Sequence, residues 1–250
     1  VTTQHEERPG VTVVIPVGPE PQHVRWLDEA IASVREQTYP VGQILLIDDM
    51  QGMPYRSGVT TWHAPWHLGV ATAFNIGVAL AAHELVFMLG SDDRLLPTCI
   101  SQCIRAYKHV AGRDHTYFSV PVQYSDERED QNAPCNAAMV TKALWRRCGG
   151  FPIEASTGAP DAALISIMMK NPDAGRYVMV GDGKPLYWYR VHDDTDTAGR
   201  GPWQGVILGT RDLMTQLWHE PRWSRLQRKD GERPEGVQKQ EVSEGVSIDA

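Results

Sequence analysis

Asp92 and Asp93 stand side by side just beyond an unbroken apolar run, Leu85-Val-Phe-Met-Leu89. Adjacent carboxylates repel, so such a pair calls for a cation, a basic partner or open water. A second pair, Asp48-Asp49, follows the apolar run Ile44-Leu-Leu-Ile47, and a histidine, His192, closes Pro185-Leu-Tyr-Trp-Tyr-Arg-Val191. Asp161 opens an apolar-rich stretch after Gly158-Ala-Pro160. Carboxylates at such positions can hold a divalent cation, accept hydrogen bonds from a base N–H or a ribose hydroxyl, or take a proton from an attacking hydroxyl. Each has a plainer reading as well. The acid pairs serve equally as solvated turns or helix caps, Asp161 as an acid favoured by a helix dipole, and His192 as a structural imidazole.

The elements that must position these residues read as α/β. Val11-Thr-Val-Val-Ile-Pro-Val17 is a first strand, His23 to Gln37 a helix, and Ile44 to Ile47 a second strand. His67 to Gly77 starts a helix with small residues, and Glu84 to Leu89 is a strand buried on both faces, as in parallel sheets. Alternating strands and helices up to about Val110 dictate a parallel sheet with right-handed crossovers. In such sheets ligands bind at the carboxyl ends of the strands, where both acid pairs fall. Further on, Tyr117 to Tyr124 reads as a strand and Asp126 to Pro134 as a polar loop. Asn136 to Val140 is a short strand, and Thr141 to Cys148 a helix stopped by Gly149-Gly150. Asp161 to Lys170 is a helix, Tyr177 to Val180 and Pro185 to Val191 are strands, and Val206 to His219 is a last helix.

The order of these pieces resembles the family 2 glycosyltransferases of the GT-A fold. In that family a first strand ends near IPV and a second near VDDGS. An NxGxxxARNxG segment then leads to a strand ending DxDD, and a late strand ends YRxH. The matching residues are Ile15-Pro16-Val17, Asp48-Asp49, His67 to Gly77, Gly90 to Asp93 and Tyr189 to His192. The resemblance spans roughly Val11 to Ala198. It implies an α/β fold of GT-A type, a Rossmann-like, mostly parallel central sheet flanked by helices, with a C-terminal helical extension.

It also implies a function: a metal-dependent, inverting transfer of a sugar from a nucleotide-diphosphate sugar, a UDP-sugar first, to an acceptor hydroxyl. By that resemblance Asp49 holds the donor nucleoside, with Pro16, Val17 and Gly18 lining the pocket through backbone groups. Asp92 contacts the donor sugar or ribose, Asp93 and His192 ligate the metal, and Asp161 is the catalytic base. A mixed oxygen and imidazole donor set suits Mn²⁺ better than Mg²⁺. There are departures: Gly90 replaces the first acid of DxDD, Phe74 the arginine of ARN, Pro160 the acid usually preceding the base, and Gly18-Pro19 a common Tyr-Asn. They motivate a second hypothesis, a degenerate GT-A module that binds sugar or nucleotide without turnover. A nucleotidyltransferase would need a glycine-rich basic loop after the first strand, and Gly18-Pro-Glu-Pro21 is acidic instead. The aromatics Trp62, Trp66, Tyr187, Trp188 and Tyr189 can stack on a sugar or base, or pack in the core.

Composition sets the bounds. With 250 residues, 42% hydrophobic content and eight tryptophans, the chain can bury a sizeable core. A net charge of −7 argues against a protein that wraps nucleic acid. Six basic residues between Pro221 and Gln240 form a local exception, read as a solvated tail, with contact to a phosphate-bearing partner or anionic lipid as the minor alternative. Cys99, Cys103, Cys135 and Cys148 make no CxxC pair and read as buried, reduced thiols. No apolar run is long enough to cross a bilayer, and Val1 to Gly10 lacks a signal-peptide core, so the expected compartment is the cytoplasm. The expected organisation is a flexible N-terminus (1–10), a GT-A domain (11–198), a helical extension (199–224) and a disordered tail (225–250).

Overall fold

Apolar runs without alternation become the middle of a sheet. Val11 to Val17 forms β1 (Val11–Val17), Gln43 to Asp48 forms β2 (Gln43–Asp48), and Leu85 to Met88 forms β4 (Leu85–Met88), each buried along nearly its whole length. The computed structural model describes residues 8–127, 129–130, 137–152, 160–171 and 173–192. The expected helical extension, the tail with its basic stretch, and Cys135 lie outside the described residues.

β1 lies between β2 and β4, parallel to both. Beyond β2 comes β3 (Thr60–His63) as an edge; beyond β4 come β9 (Ala138–Thr141), β6 (Thr116–Ser119) and β10 (Arg176–Met179). Only β9 runs against its neighbours in this seven-stranded sheet. The parallel carboxyl ends therefore share one rim, where Val17, Asp48 and Met88 lie. A smaller sheet has the order β5 (Arg94–Leu95), β11 (Tyr187–Tyr189), β7 (Val122–Tyr124) and β8 (Glu129–Asp130).

Alternate strand residues feed two cores. Val13, Ile15, Leu46, Phe87 and Met139 pack with α1 (Leu27–Arg35), α3 (Cys99–His109) and the smaller sheet through Ile31, Ile100, Ile104 and Tyr187. Val14, Leu45, Ile47, Met88 and Val140 face the other way, onto α2 (Val70–Leu80), α4 (Lys142–Cys148) and α5 (Pro160–Lys170) through Phe74, Val78, Leu144, Leu164 and Met168. Each such side chain contributes about 1.5–3 kcal/mol. Gly77 lets α2 lie close on β1, since a Cβ there would collide with Val14. α4 has the expected ends: Thr141 Oγ1 accepts from Leu144 N–H at 3.0 Å, and Gly149 closes the helix at φ 77°.

Three local readings change. The stretch expected to be helical from His23 begins as a 3-10 turn (Pro21–Val24), and α1 starts only at Leu27. The single strand expected over Tyr117 to Tyr124 is β6 and β7 in different sheets. Pro121, between them, has no N–H for a ladder, and its carbonyl accepts from Leu186 and Tyr187 N–H instead. The polar loop expected from Asp126 includes the short strand β8. Cys99, Cys103 and Cys148 are free and buried; burial pushes the Cys99 thiol up strongly and that of Cys148 to about 11. No helix among the described residues is long and apolar enough to cross a membrane.

Candidate active site

At the end of β2, Asp48 is buried, and its carboxylate folds the next loop around itself. Oδ1 accepts from Gln51 N–H at 2.8 Å and Oδ2 from Met53 N–H at 2.7 Å, with His63 Nδ1 2.7 Å from Oδ2. Asp49 turns to α2. Its oxygens accept from Leu68 N–H (2.8 Å) and Gly69 N–H (3.2 Å), donors at the start of that helix, and His67 Nδ1 lies at 2.9 Å. Asp49 thus acts as a helix cap from outside the helix. Between the two acids and the loop, Met50 takes the left-handed φ of 72° with its side chain exposed. Pro16, Val17 and Gly18 run alongside, joined to Asp49 by its N–H to Val17 C=O (2.9 Å). Gly18 lies under the His23 ring, where a Cβ would collide.

The second pair divides differently. Asp93 is 3% exposed, with Oδ2 accepting from Tyr187 Oη–H at 2.6 Å and Oδ1 from Arg190 N–H at 2.8 Å. Gly90 N–H in turn donates to Tyr187 Oη at 3.2 Å. Burial, then the charge of Asp92, raise the Asp93 carboxyl well above the ordinary range, against the opposing pull of Tyr187 and Arg190. Asp92 is less enclosed, and its Oδ2 lies 3.1 Å from His192 Nε2. The His192 ring rests on Trp26, 4.6 Å between centroids. Gly90 has a steric reason: a Cβ there would stand 2.6 Å from Asp93 Oδ2 and 2.9 Å from Asp92 Oδ1. The space that a first acid of DxDD would need is filled by the other two.

Asp161 is buried in the first turn of α5, in the layer of α2 and α4. Phe74 is a core residue against Phe151. Its neighbour Asn75 ties that layer together: Nδ2 donates to Phe151 C=O, and Oδ1 accepts from Phe151 N–H and Trp145 Nε1–H, each at 2.8 Å. The sequence singled out neither Asn75 nor Trp26, and gave Tyr187 and Arg190 no part in holding Asp93; for Asn75 the signal was a lone amide inside an apolar helix run. Of the aromatics expected to stack on a ligand, Tyr187 is buried against Asp93, Trp188 meets Arg94 and Arg190, and Tyr189 meets Tyr124. Trp62 packs on the core beneath α2, and Trp66 is 66% exposed.

The structure therefore brings Asp92, Asp93 and His192 into one cluster at the rim, beside Tyr187 and Arg190. Asp49 stands two strands away, across β1, and Asp161 on the other face of the sheet. Among the described residues no three His, Cys, Asp or Glu side chains form a metal-binding group. One carboxylate oxygen facing one imidazole nitrogen, with a second acid behind, is a donor set that fits a divalent cation sharing its shell with a ligand's oxygens.

The family model described as glycosyl transferase family 2 matches residues 12–153. Comparison with curated proteins returns no match. Solved structures of S. aureus TarS are similar in fold. TarS 1-349 in complex with UDP-GlcNAc gives a TM-score of 0.65 at 14% identity, covering 83% of this chain and 66% of that one. The complex with UDP gives 0.60 at 13%, covering 83% and 64%, and TarS itself 0.59 at 14%, covering 84% and 40%. The chain spans less than two thirds of the length of each. The GT-A architecture expected from the motif order is borne out.

Proposed function

The chain belongs to glycosyl transferase family 2, and from that premise we propose that it moves a sugar from a nucleotide-diphosphate sugar to an acceptor hydroxyl with inversion. The observation that carries the proposal is the Asp92–His192 pair at 3.1 Å, set at the rim where Asp49 follows β2, two strands away across β1. A UDP-sugar is the donor of choice, because the similar TarS structures hold UDP and UDP-GlcNAc.

Asp49, with the backbone of Pro16, Val17 and Gly18, holds the nucleoside. Asp92 and His192 hold a divalent cation, Mn²⁺ before Mg²⁺ for this mixed donor set. Asp93, first expected as the metal ligand, takes the anchoring part in this reading, because both of its oxygens already accept bonds from Tyr187 and Arg190. When bound, the cation supplies neutralising charge for the leaving nucleoside diphosphate. Asp161 takes the proton of the acceptor hydroxyl as its oxygen bonds to the anomeric carbon and the bond to the diphosphate oxygen breaks. α5 leads through the short connection 171–175 into β10 and packs along it, so its first turn falls toward the carboxyl rim. Asp161 then approaches from the α2–α4 side while the acid cluster lies on the side of the smaller sheet. Inversion further requires base and leaving group on opposite sides of the anomeric carbon within one cleft at that rim.

The test is UDP release from a panel of UDP-sugars, with and without acceptors, in Mn²⁺ and in EDTA. Release that requires the metal and rises with an acceptor is the expected result. Nucleotide binding without release across the panel would favour the degenerate binding module. No binding of any nucleotide sugar would remove both readings.

A further inference from the structure

We propose that Arg190 is the positioning residue of the cation site: it fixes Asp92 and His192 against each other by bonding the acid loop and stacking on the ring beneath the imidazole. The inference rests on the reading of Asp92 and His192 as the cation-holding pair. These two residues are 100 positions apart, follow strands of different sheets, and meet through a pair of groups in contact at 3.1 Å. Arg190 touches both sides of that meeting. Its backbone N–H donates to Asp93 Oδ1 at 2.8 Å, and its Nε–H donates to the Asp92 carbonyl at 2.8 Å. The loop carrying the acids is thereby stitched to the strand end that carries His192 two residues later.

The far end of the side chain is anchored as well. Nη2 donates to Glu29 Oε2 on α1 at 2.6 Å. The guanidinium carbon lies 4.6 Å from the ring centres of both Trp26 and Trp188. Trp26 is also the ring on which His192 rests. One side chain thus meets the acid loop, the helix behind it and the indole under the imidazole. The planar fork of arginine suits this position, since its edge donates in two directions while its faces lie on aromatic rings. Lysine carries the same charge but cannot make both bonds and stack. Residues that orient metal ligands typically matter about 10–100-fold in metal affinity when removed.

The experiment compares UDP affinity by calorimetry in Mn²⁺ and in EDTA for wild type, Arg190→Lys, Arg190→Gln and Glu29→Gln. The Mn²⁺-to-EDTA affinity ratio of wild type reports the cation site. In both Arg190 variants that ratio should fall about 10–100-fold while affinity in EDTA stays within about twofold. Lysine should not rescue, which separates positioning from mere charge. Glu29→Gln removes only the outer anchor and should lower the ratio severalfold, so it remains informative if the Arg190 variants do not fold. A wild-type protein that binds UDP equally in Mn²⁺ and EDTA overturns the metal reading and this inference with it. Metal-strengthened binding that the variants keep, or a loss shared equally between Mn²⁺ and EDTA, overturns the inference alone.

Discussion

At the end of β2 every carboxylate oxygen of Asp48 and Asp49 accepts a backbone N–H, whereas at the end of β4 only Asp93 has both oxygens bonded to donors from a neighbouring strand end. The two dipeptides are identical, and both follow buried parallel strands. What differs is the backbone within reach. β2 runs into a loop and toward a helix start, both rich in unpaired N–H groups, so its acids organise the rim itself. β4 runs into Gly90-Ser91, and the nearest donors come from β11 and its end. Tyr187 and Arg190 supply enough for one carboxylate, and Asp92 is left facing His192. On the proposed reading, an acid pair becomes a site where the fold runs out of permanent donors for one of its members.

The largest expected effect lies outside both pairs and isolates them from the proton chemistry. Asp161→Asn should lower turnover on the order of 10²–10⁴-fold. UDP affinity should stay the same, because the donor groups belong to other elements. An asparagine variant with wild-type turnover would move the base elsewhere, and the acid pairs would be the first candidates. Next in size is the contrast within the second pair. Asp92→Asn should abolish the strengthening of UDP binding by Mn²⁺, and Asp93→Asn should reduce it about 10–100-fold, as expected for a group that orients a ligand. If Asp93→Asn proved the more damaging, the division of labour drawn above would be reversed.

The sequence made this comparison possible without resolving it. β1, β2 and β4 were legible because strands buried on both faces leave unbroken apolar runs. β3 was not, since Thr60 to His63 lies half-exposed at the sheet edge and carries no such run. The rim residues were legible as types: both acid pairs, Asp161 and His192 stand out at strand or helix ends. Their partners were hidden, because Tyr187 and Arg190 reach Asp93 across 94 and 97 positions and no local pattern encodes such bonds. From the sequence, Asp93 reads as the metal ligand and Asp92 as a donor-sugar or ribose contact. Gly90 likewise reads as a lost acid, until its missing Cβ is seen to be the space both carboxylates occupy.

Gly90→Ala tests that last point and should cost about 1–3 kcal/mol, the range for inserting a group into filled space. The new methyl would press on Asp93 Oδ2 and Asp92 Oδ1, so one carboxylate must move. Chemical denaturation measures the loss, and the Mn²⁺-to-EDTA ratio of UDP affinity should fall in the same variant. A stable alanine variant with an unchanged ratio would show that the pair has room to spare.

The first pair offers the smallest effects and the finest distinction. Asp48→Ala strips acceptors from Gln51 and Met53 N–H and from His63, in a place that is buried on the carboxylate side. Leaving such donors unsatisfied costs about 1–3 kcal/mol. Asp49→Ala removes the acceptor at the start of α2 and should cost about 0.5–2 kcal/mol, the range for losing a helix cap. In stability the two should look alike. They should part on UDP binding in EDTA, where the second acid pair contributes least. Asp49 is proposed to face the nucleoside, so its alanine variant should weaken that binding. Asp48 points into the loop, with its oxygens taken by Gln51, Met53 and His63, so its variant should leave binding near wild type. Equal losses from both would mean that the rim binds nucleotide only by being well folded. No loss from Asp49→Ala would free that carboxylate from any ligand role and leave it wholly as the cap of α2.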